Sequence, residues 1–235
     1  MNGTLFGLGV GPGDPELLTL KAVRIIGQSP VIAYPAPDVG DSLARAIAAP
    51  HIPDGRHEIV IRTPMVAGNF PADDVYDHYA EEIASHLKEG RDVAVLCEGD
   101  PFLFGSFMYI YTRLAAAFPV QVIPGVSSLG ACAAAAGVPL VSRNQMLSII
   151  PAPLPEADLK TRIKAADAVC IMKVGRHLEK VCRVVADLGL TGNAHYVEHA
   201  SMANQKVCAL TDLREATAPY FSMILIRKPE PESKQ

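Results

Sequence analysis

The sequence predicts an α/β protein in two parts: a mostly parallel sheet in the N-terminal half and a mixed-sheet α+β arrangement in the C-terminal half. Three observations predict it. Apolar runs of four to eight residues alternate with stretches of helical periodicity from residue 5 to residue 198, the pattern of strands joined by helical crossovers. The last two apolar runs, Gln205–Leu210 and Tyr220–Arg227, follow one another with no helix between them, which calls for antiparallel strands at an edge. The chain has 235 residues, 25.1 kDa and 49% hydrophobic residues, so folding buries about 70% of the unfolded surface and needs no staples.

Leu5–Val10, Val31–Tyr34, Ile59–Arg62 and Val93–Cys97 are short apolar runs and read as buried strands. Between them the spacing predicts helices over Leu17–Ile26, Asp41–Ala48 and Asp73–Lys88. In the third, Asp73 and Asp74 lie where the helix dipole favours acid. Val75, Tyr79, Ile83 and Leu87 recur at helical spacing, and Gly90 stops it. Gly105–Phe118 is helical until Pro119. A second series then reads strand Val120–Ile123, helix Ser128–Ala136, strand Leu147–Ile150, helix Glu156–Ala166, strand Ala168–Met172, helix Leu178–Leu188 and strand Ala194–Glu198. The break at Phe118–Val120 divides the chain into domains 1–118 and 119–235, with a Pro- and Glu-rich tail, Lys228–Gln235, expected to fray.

The net charge of −4 argues against a nucleic-acid binder, which carries a basic face. Charge is uneven: residues 1–118 hold 8 Lys/Arg and 15 Asp/Glu, a net of −7, and residues 119–235 hold 13 and 10, a net of +3. The five cysteines form no CxxC and mostly sit in apolar runs, as reduced buried thiols do. The longest apolar run, Leu129 to Val141, is broken by Gly130, Gly137 and Pro139, and the N-terminus lacks a basic region, so no membrane span or signal peptide is expected. A cytoplasmic protein is the expectation.

Three loops carry chemistry. The first, Phe6-Gly-Leu-Gly-Val-Gly-Pro-Gly-Asp14-Pro15, runs from a strand through glycines 7, 9, 11 and 13 into a helical segment. It fails the dinucleotide fingerprint, because Pro12 or Asp14 stands at the third glycine, and it lacks the Gly-Lys-Ser/Thr of a P-loop. Asp14 repels phosphate, and it either faces a cationic ligand or caps the helix that follows. The second, Cys97-Glu-Gly-Asp-Pro-Phe-Leu-Phe-Gly-Ser106, leaves the carboxyl end of a buried strand, where open α/β sheets bind ligands, and offers two carboxylates to a diol or a positive charge. The third, Pro124-Gly-Val-Ser-Ser-Leu-Gly130, misses the nucleophile elbow because Leu129 stands at its second glycine; it suits backbone and hydroxyl donors at a helix start. The seven histidines show no HExxH, and no metal is expected.

In this order and spacing the loops resemble those of the tetrapyrrole (precorrin and uroporphyrin) methylases, which use S-adenosylmethionine. The resemblance runs from Gly3 to about Arg227, carried by Gly9-Val-Gly-Pro-Gly-Asp14-Pro-Glu-Leu-Leu-Thr-Leu-Lys-Ala22, Glu98-Gly-Asp-Pro101 and Pro124-Gly-Val-Ser-Ser128. Ala136-Gly-Val-Pro-Leu140 and Val197-Glu-His-Ala200 add to it. Within the family, Val31-Ile-Ala-Tyr-Pro-Ala-Pro37 and Cys97-Glu-Gly-Asp-Pro-Phe-Leu-Phe-Gly-Ser-Phe-Met-Tyr109 are most similar to the branch that methylates carbon 20 of precorrin-2. Methylases of cobalt-factor II share these motifs. Uroporphyrinogen methylases carry Gly-Gly-Asp-Pro and then Gly-Arg-Gly, where this chain has Gly105-Ser-Phe-Met.

The resemblance implies a two-domain tetrapyrrole-methylase fold with S-adenosylmethionine in the cleft between domains, no metal requirement and a homodimer. It implies precorrin-2 as the small-molecule substrate and precorrin-3A as the product. Family cofactor contacts map onto Pro12, Glu98, Gly99, Asp100, Leu103, Ser127, Ser128, Met172 and Ala200. Relatives with Gly at the last position make a main-chain contact that Ala preserves. Asp14 is the catalytic candidate, a carboxylate to stabilise a cationic ring or take its proton. The substrate's acetates and propionates call for arginine, with Arg45, Arg62, Arg113, Arg143 and Arg176 as candidates.

Overall fold

The structure, a computed structural model, describes residues 1–63 and 73–229. The chain divides into two compact units, 1–127 and 128–235.

The first unit contains β1 (Leu5–Gly9), α1 (Leu20–Gln28), β2 (Val31–Pro37), α2 (Leu43–Ala48), β3 (His57–Thr63), α3 (Asp73–Lys88), β4 (Val93–Cys97), α4 (Phe107–Leu114) and β5 (Val120–Ile123). The strands form one sheet in the order β3-β2-β4-β1-β5, with every pair parallel. Alternation along the strands feeds two cores. Leu5, Val93, Val95 and Cys97 pack against Tyr76, Ile83 and Leu87 of α3 and Phe107 and Ile110 of α4. Leu8, Val10, Ala94 and Leu96 pack against Ile25 and Ile26 of α1 and Ile47 of α2. Gly7 lies on the α4 side because a Cβ there would come within 2.3 Å of the Phe107 ring, which is 1% exposed.

Three expectations are corrected here. The division at 118/119 placed Val120–Ile123 in the second domain, yet this strand pairs with β1, from Leu5↔Val120 to Leu8↔Ile123. The helix expected over 105–118 is α4, which already ends at Leu114, and Pro119 leads into the next strand: its carbonyl accepts from Leu5 N at 2.9 Å and begins the pairing. The helix expected over Leu17–Ile26 is a 3₁₀ turn at Pro15–Leu17 followed by α1 from Leu20, because Thr19 is extended and its hydroxyl accepts from Ala22 N.

The second unit contains α5 (Ser128–Ala136), β6 (Leu147–Pro151), α6 (Glu156–Ala165), β7 (Ala168–Met172), α7 (Leu178–Asp187), β8 (Ala194–Glu198), β9 (Lys206–Ala209) and β10 (Ser222–Arg227). Its mixed sheet runs β6-β7-β10-β8-β9. The last two strands do not pair with each other: β10 inserts between β7 and β8, antiparallel to both, and β9 takes the edge. Burial explains the swap. Five of the six residues of β10 are buried, which suits a central strand, whereas all of β9 is half-buried. Because β10 opposes both neighbours, β6, β7 and β8 end at the same edge. Among the described residues no helix is long and apolar enough to cross a membrane. Of the tail expected to fray, residues 230–235 lie outside the described residues.

Candidate active site

In the first sheet β1 and β4 are neighbours whose chains leave toward opposite faces, β1 toward α1 and β4 toward α4. Such a reversal is where open α/β sheets bind ligands, outside the carboxyl ends of the strands. Here the three motif loops converge. Gly11 N donates to Gly99 O at 3.3 Å and Gly99 N to Gly11 O at 2.8 Å, an antiparallel bridge between the first two loops. Both glycines have positive φ, 81° and 64°. Gly9 and Gly125 are required for a different reason. A Cβ on Gly9 would sit 2.5 Å from Gly125 Cα, and one on Gly125 would sit 2.0 Å from Gly99 O. Three backbones therefore meet without side chains between them.

Asp100 fastens this junction. Its Oδ1 accepts from Phe102 N at 2.9 Å within its own loop, and its Oδ2 accepts from Gly125 N at 3.1 Å in the third loop. Glu98, on the same loop, is half-buried. Desolvation pushes its carboxyl above the usual range, opposed by hydrogen bonds from its own and the Ala44 backbone. Asp14 Oδ1 accepts from Glu16 N at 2.8 Å and caps the Pro15–Leu17 turn. Cys97 sits beneath the loops with its thiol pushed up to about 11 by burial, so it is a neutral core residue and no nucleophile.

In the first unit the Gly11–Gly99 bridge thus sets the Pro12 turn beside Glu98, Gly99 and Asp100, with Asp14 two residues past Pro12, half-buried Leu103 on the Asp100 loop and Ser127 ending the third loop. In the second unit Ser128 is the first residue of α5, Met172 the last of β7, and Ala200, 7% exposed, follows β8. Backbone strain marks the same places. Among the described residues five non-glycine residues have positive φ, and four of them flank expected cofactor contacts: Phe104 after Leu103, Lys173 after Met172, and His199 and Ser201 around Ala200. Strain of this kind, costing about 1–3 kcal/mol per residue, collects at ligand sites.

The arginine candidates fare differently. Arg45 forms a bidentate pair with Glu58 at 2.9 Å, which also accepts from Tyr34 Oη at 2.6 Å. Arg113 ties α4 to Asp73 and Asp77 of α3. Both guanidiniums therefore have structural partners. Arg62 donates to the carbonyls of Pro37 and Asp38, while Arg143 and Arg176 are exposed in the second unit. Gly9, Gly125 and His199 stand in the quoted motifs, yet the sequence alone gave them no place in the site. For the glycines the signal was there, a glycine in each of two loops after buried strands. For His199 nothing foretells a φ of +50°.

A glycine cradle between carboxylates fits a ligand with a close-fitting, positively charged part. Residues 4–217 match the family model described as Tetrapyrrole (Corrin/Porphyrin) Methylases. The chain is 41% identical to the precorrin-2 C(20)-methyltransferase of a Sinorhizobium species, over 95% of both chains. It is 43% identical to the cobalamin biosynthesis protein CobIJ of Mycobacterium tuberculosis over 95% of this chain and 46% of that one, so it spans about half the length of that relative. A crystal structure of uroporphyrin-III C-methyl transferase from Thermus thermophilus, complexed with S-adenosyl homocysteine, superimposes with a TM-score of 0.66 at 23% identity, covering 95% of this chain and 97% of the other. With the model matched across most of its length, the chain belongs to the tetrapyrrole (corrin/porphyrin) methylases.

Proposed function

We propose that the protein transfers a methyl group from S-adenosylmethionine to carbon 20 of precorrin-2, giving precorrin-3A on the route to cobalamin. The observation that carries the reading is the identity of 41% with the Sinorhizobium enzyme of that name over nearly the full length of both chains. The convergence of Gly9, Gly99 and Gly125 supports it, since it packs three loops without side chains at the sheet end where open α/β folds bind ligands. The higher identity to this relative than to the cobalt-precorrin-2 C(20)-methyltransferase of Salmonella typhimurium, 41% against 30%, favours the metal-free substrate. A homodimer in the cytoplasm, with no metal required, completes the reading.

S-adenosylmethionine, when bound, supplies a methyl group already activated on a sulfonium. The chain therefore has no need of a covalent nucleophile, in keeping with the neutral Cys97 thiol. Pro12, Glu98, Gly99, Leu103 and Ser127 of the first unit and Ser128, Met172 and Ala200 of the second would hold it. Asp100 acts by fixing the loops through its two backbone bonds. Loops fixed in this way would hold the bound cofactor and substrate in one orientation, which lowers the barrier by removing orientational freedom. Methylation leaves a cationic ring that regains conjugation when the meso carbon loses its proton. Asp14 takes that proton as its carboxylate becomes carboxylic acid, while Oδ1 remains anchored by Glu16 N.

Calorimetric titration of the full chain with S-adenosylhomocysteine, followed by ultraviolet–visible spectra of precorrin-2 with S-adenosylmethionine, tests the reading. It expects one site per chain and a spectral change dependent on both substrates. No binding, or faster turnover of the cobalt-bearing substrate than of the metal-free one, counts against it.

A further inference from the structure

At the opposite end of the first sheet from the glycine loops lies a cluster with no part in this chemistry. His57 is the first residue of the edge strand β3, paired with Val31 at the start of β2. Glu82 and His86 lie one turn apart on α3, so both project from one face of the helix. One ligand atom from each of His57, Glu82 and His86 lies within 4.8 Å of the other two. The two imidazole rings are 4.6 Å apart between centroids. His86 is 6% exposed, and its Nδ1 is buried without a hydrogen-bond partner. A buried imidazole nitrogen in that state is costly, and a bound cation is one partner that satisfies it. The nearby cation, Arg91, is itself paired with Glu89.

We propose that His57, Glu82 and His86 form a site for a divalent transition metal of the zinc class. Two imidazoles and one carboxylate suit zinc better than magnesium or calcium, which prefer all-oxygen shells. Bonds of about 2.0–2.2 Å to the three ligand atoms, with water as the fourth ligand, set their spacing around the ion. Exposed His57 and half-buried Glu82 can adjust to that spacing while His86 stays fixed in the core. The ion pins the edge strand β3 to α3, so its effect is on stability and not on the methyl transfer.

The test is equilibrium dialysis of the chelator-stripped full chain against zinc ions, with thermal melting, for wild type, His57→Ala and Glu82→Gln. Both substitutions lie outside the fully buried core and leave the fold intact. The expected result is one zinc per chain in wild type, affinity weakened about tenfold or more in each variant, and a zinc-dependent rise in melting temperature only in wild type. S-adenosylhomocysteine affinity stays the same in all three. The proposal is overturned if wild type takes up no stoichiometric zinc. It is equally overturned if either variant binds zinc as tightly as wild type, which would place the ion on other residues.

Discussion

Single atoms decide the geometry of the loop junction. At Gly125 a methyl group would lie 2.0 Å from the Gly99 carbonyl oxygen, a backbone atom that cannot swing away. Gly125→Ala is expected to cost about 3 kcal/mol, the upper end of ordinary overpacking, and to weaken S-adenosylhomocysteine binding with it. Chemical denaturation and calorimetry check both. Asp100→Ala removes two charge-assisted acceptors for backbone N–H groups, with an expected loss of about 1.5–3 kcal/mol in cofactor binding. An affinity equal to wild type would show that the tether is irrelevant to the site. Asp14→Asn keeps an oxygen to cap the Pro15–Leu17 turn and removes the charge. Its melting temperature should match wild type while turnover falls by about 100-fold or more. Turnover within a few-fold of wild type would leave Asp14 only its cap.

Among elements, the link between β2, α2 and β3 is the clearest electrostatic feature. The Arg45 guanidinium, and after it the Tyr34 hydroxyl, hold the Glu58 carboxyl below the usual carboxylate range against a desolvation that pushes it up. A carboxyl whose folded pKa is lowered contributes stability that is fully present above its unfolded value of about 4.3 and is lost as pH falls through the folded value. With Arg45 and Glu58 both partly exposed, the pair contributes about 1 kcal/mol. The difference in unfolding free energy between wild type and Glu58→Gln should therefore be constant from pH 7 to about 5 and shrink toward pH 3. A difference that does not change with pH would deny the pair its role. Elements were legible wherever one signal dominated. The strands Val93–Cys97 and Ala168–Met172 and the helix Asp73–Lys88 have the bounds that apolar runs, acidic starts and a stopping glycine predict. α1 was harder to place because Asp14 and Thr19 are both competent caps, and the chain uses each in turn. β10 was misplaced because pairing partners are set by burial across the whole sheet and not by sequence order.

The molecule as a whole was legible as alternating strands and helices in two parts, and the dividing point was not. Pro119 looks like a boundary in one dimension, but β5 continues the first sheet, and the division follows at Ser127 and Ser128. The site was legible as three loops, because glycines and carboxylates after buried strands leave a pattern along the chain. The strain at Lys173, His199 and Ser201 left none, since it arises from how β7 and β8 end. Nor did the His57, Glu82 and His86 cluster, whose first member is 25 residues distant from the second. The central claim is methylation of one carbon, and one measurement reads it directly. The purified chain is incubated with precorrin-2 and S-adenosylmethionine carrying a carbon-13 methyl group, and the product is analysed by NMR and mass spectrometry. The account predicts one added methyl per tetrapyrrole, attached at carbon 20. A labelled methyl on any other carbon, or no transfer from a chain shown to bind S-adenosylhomocysteine, would contradict it.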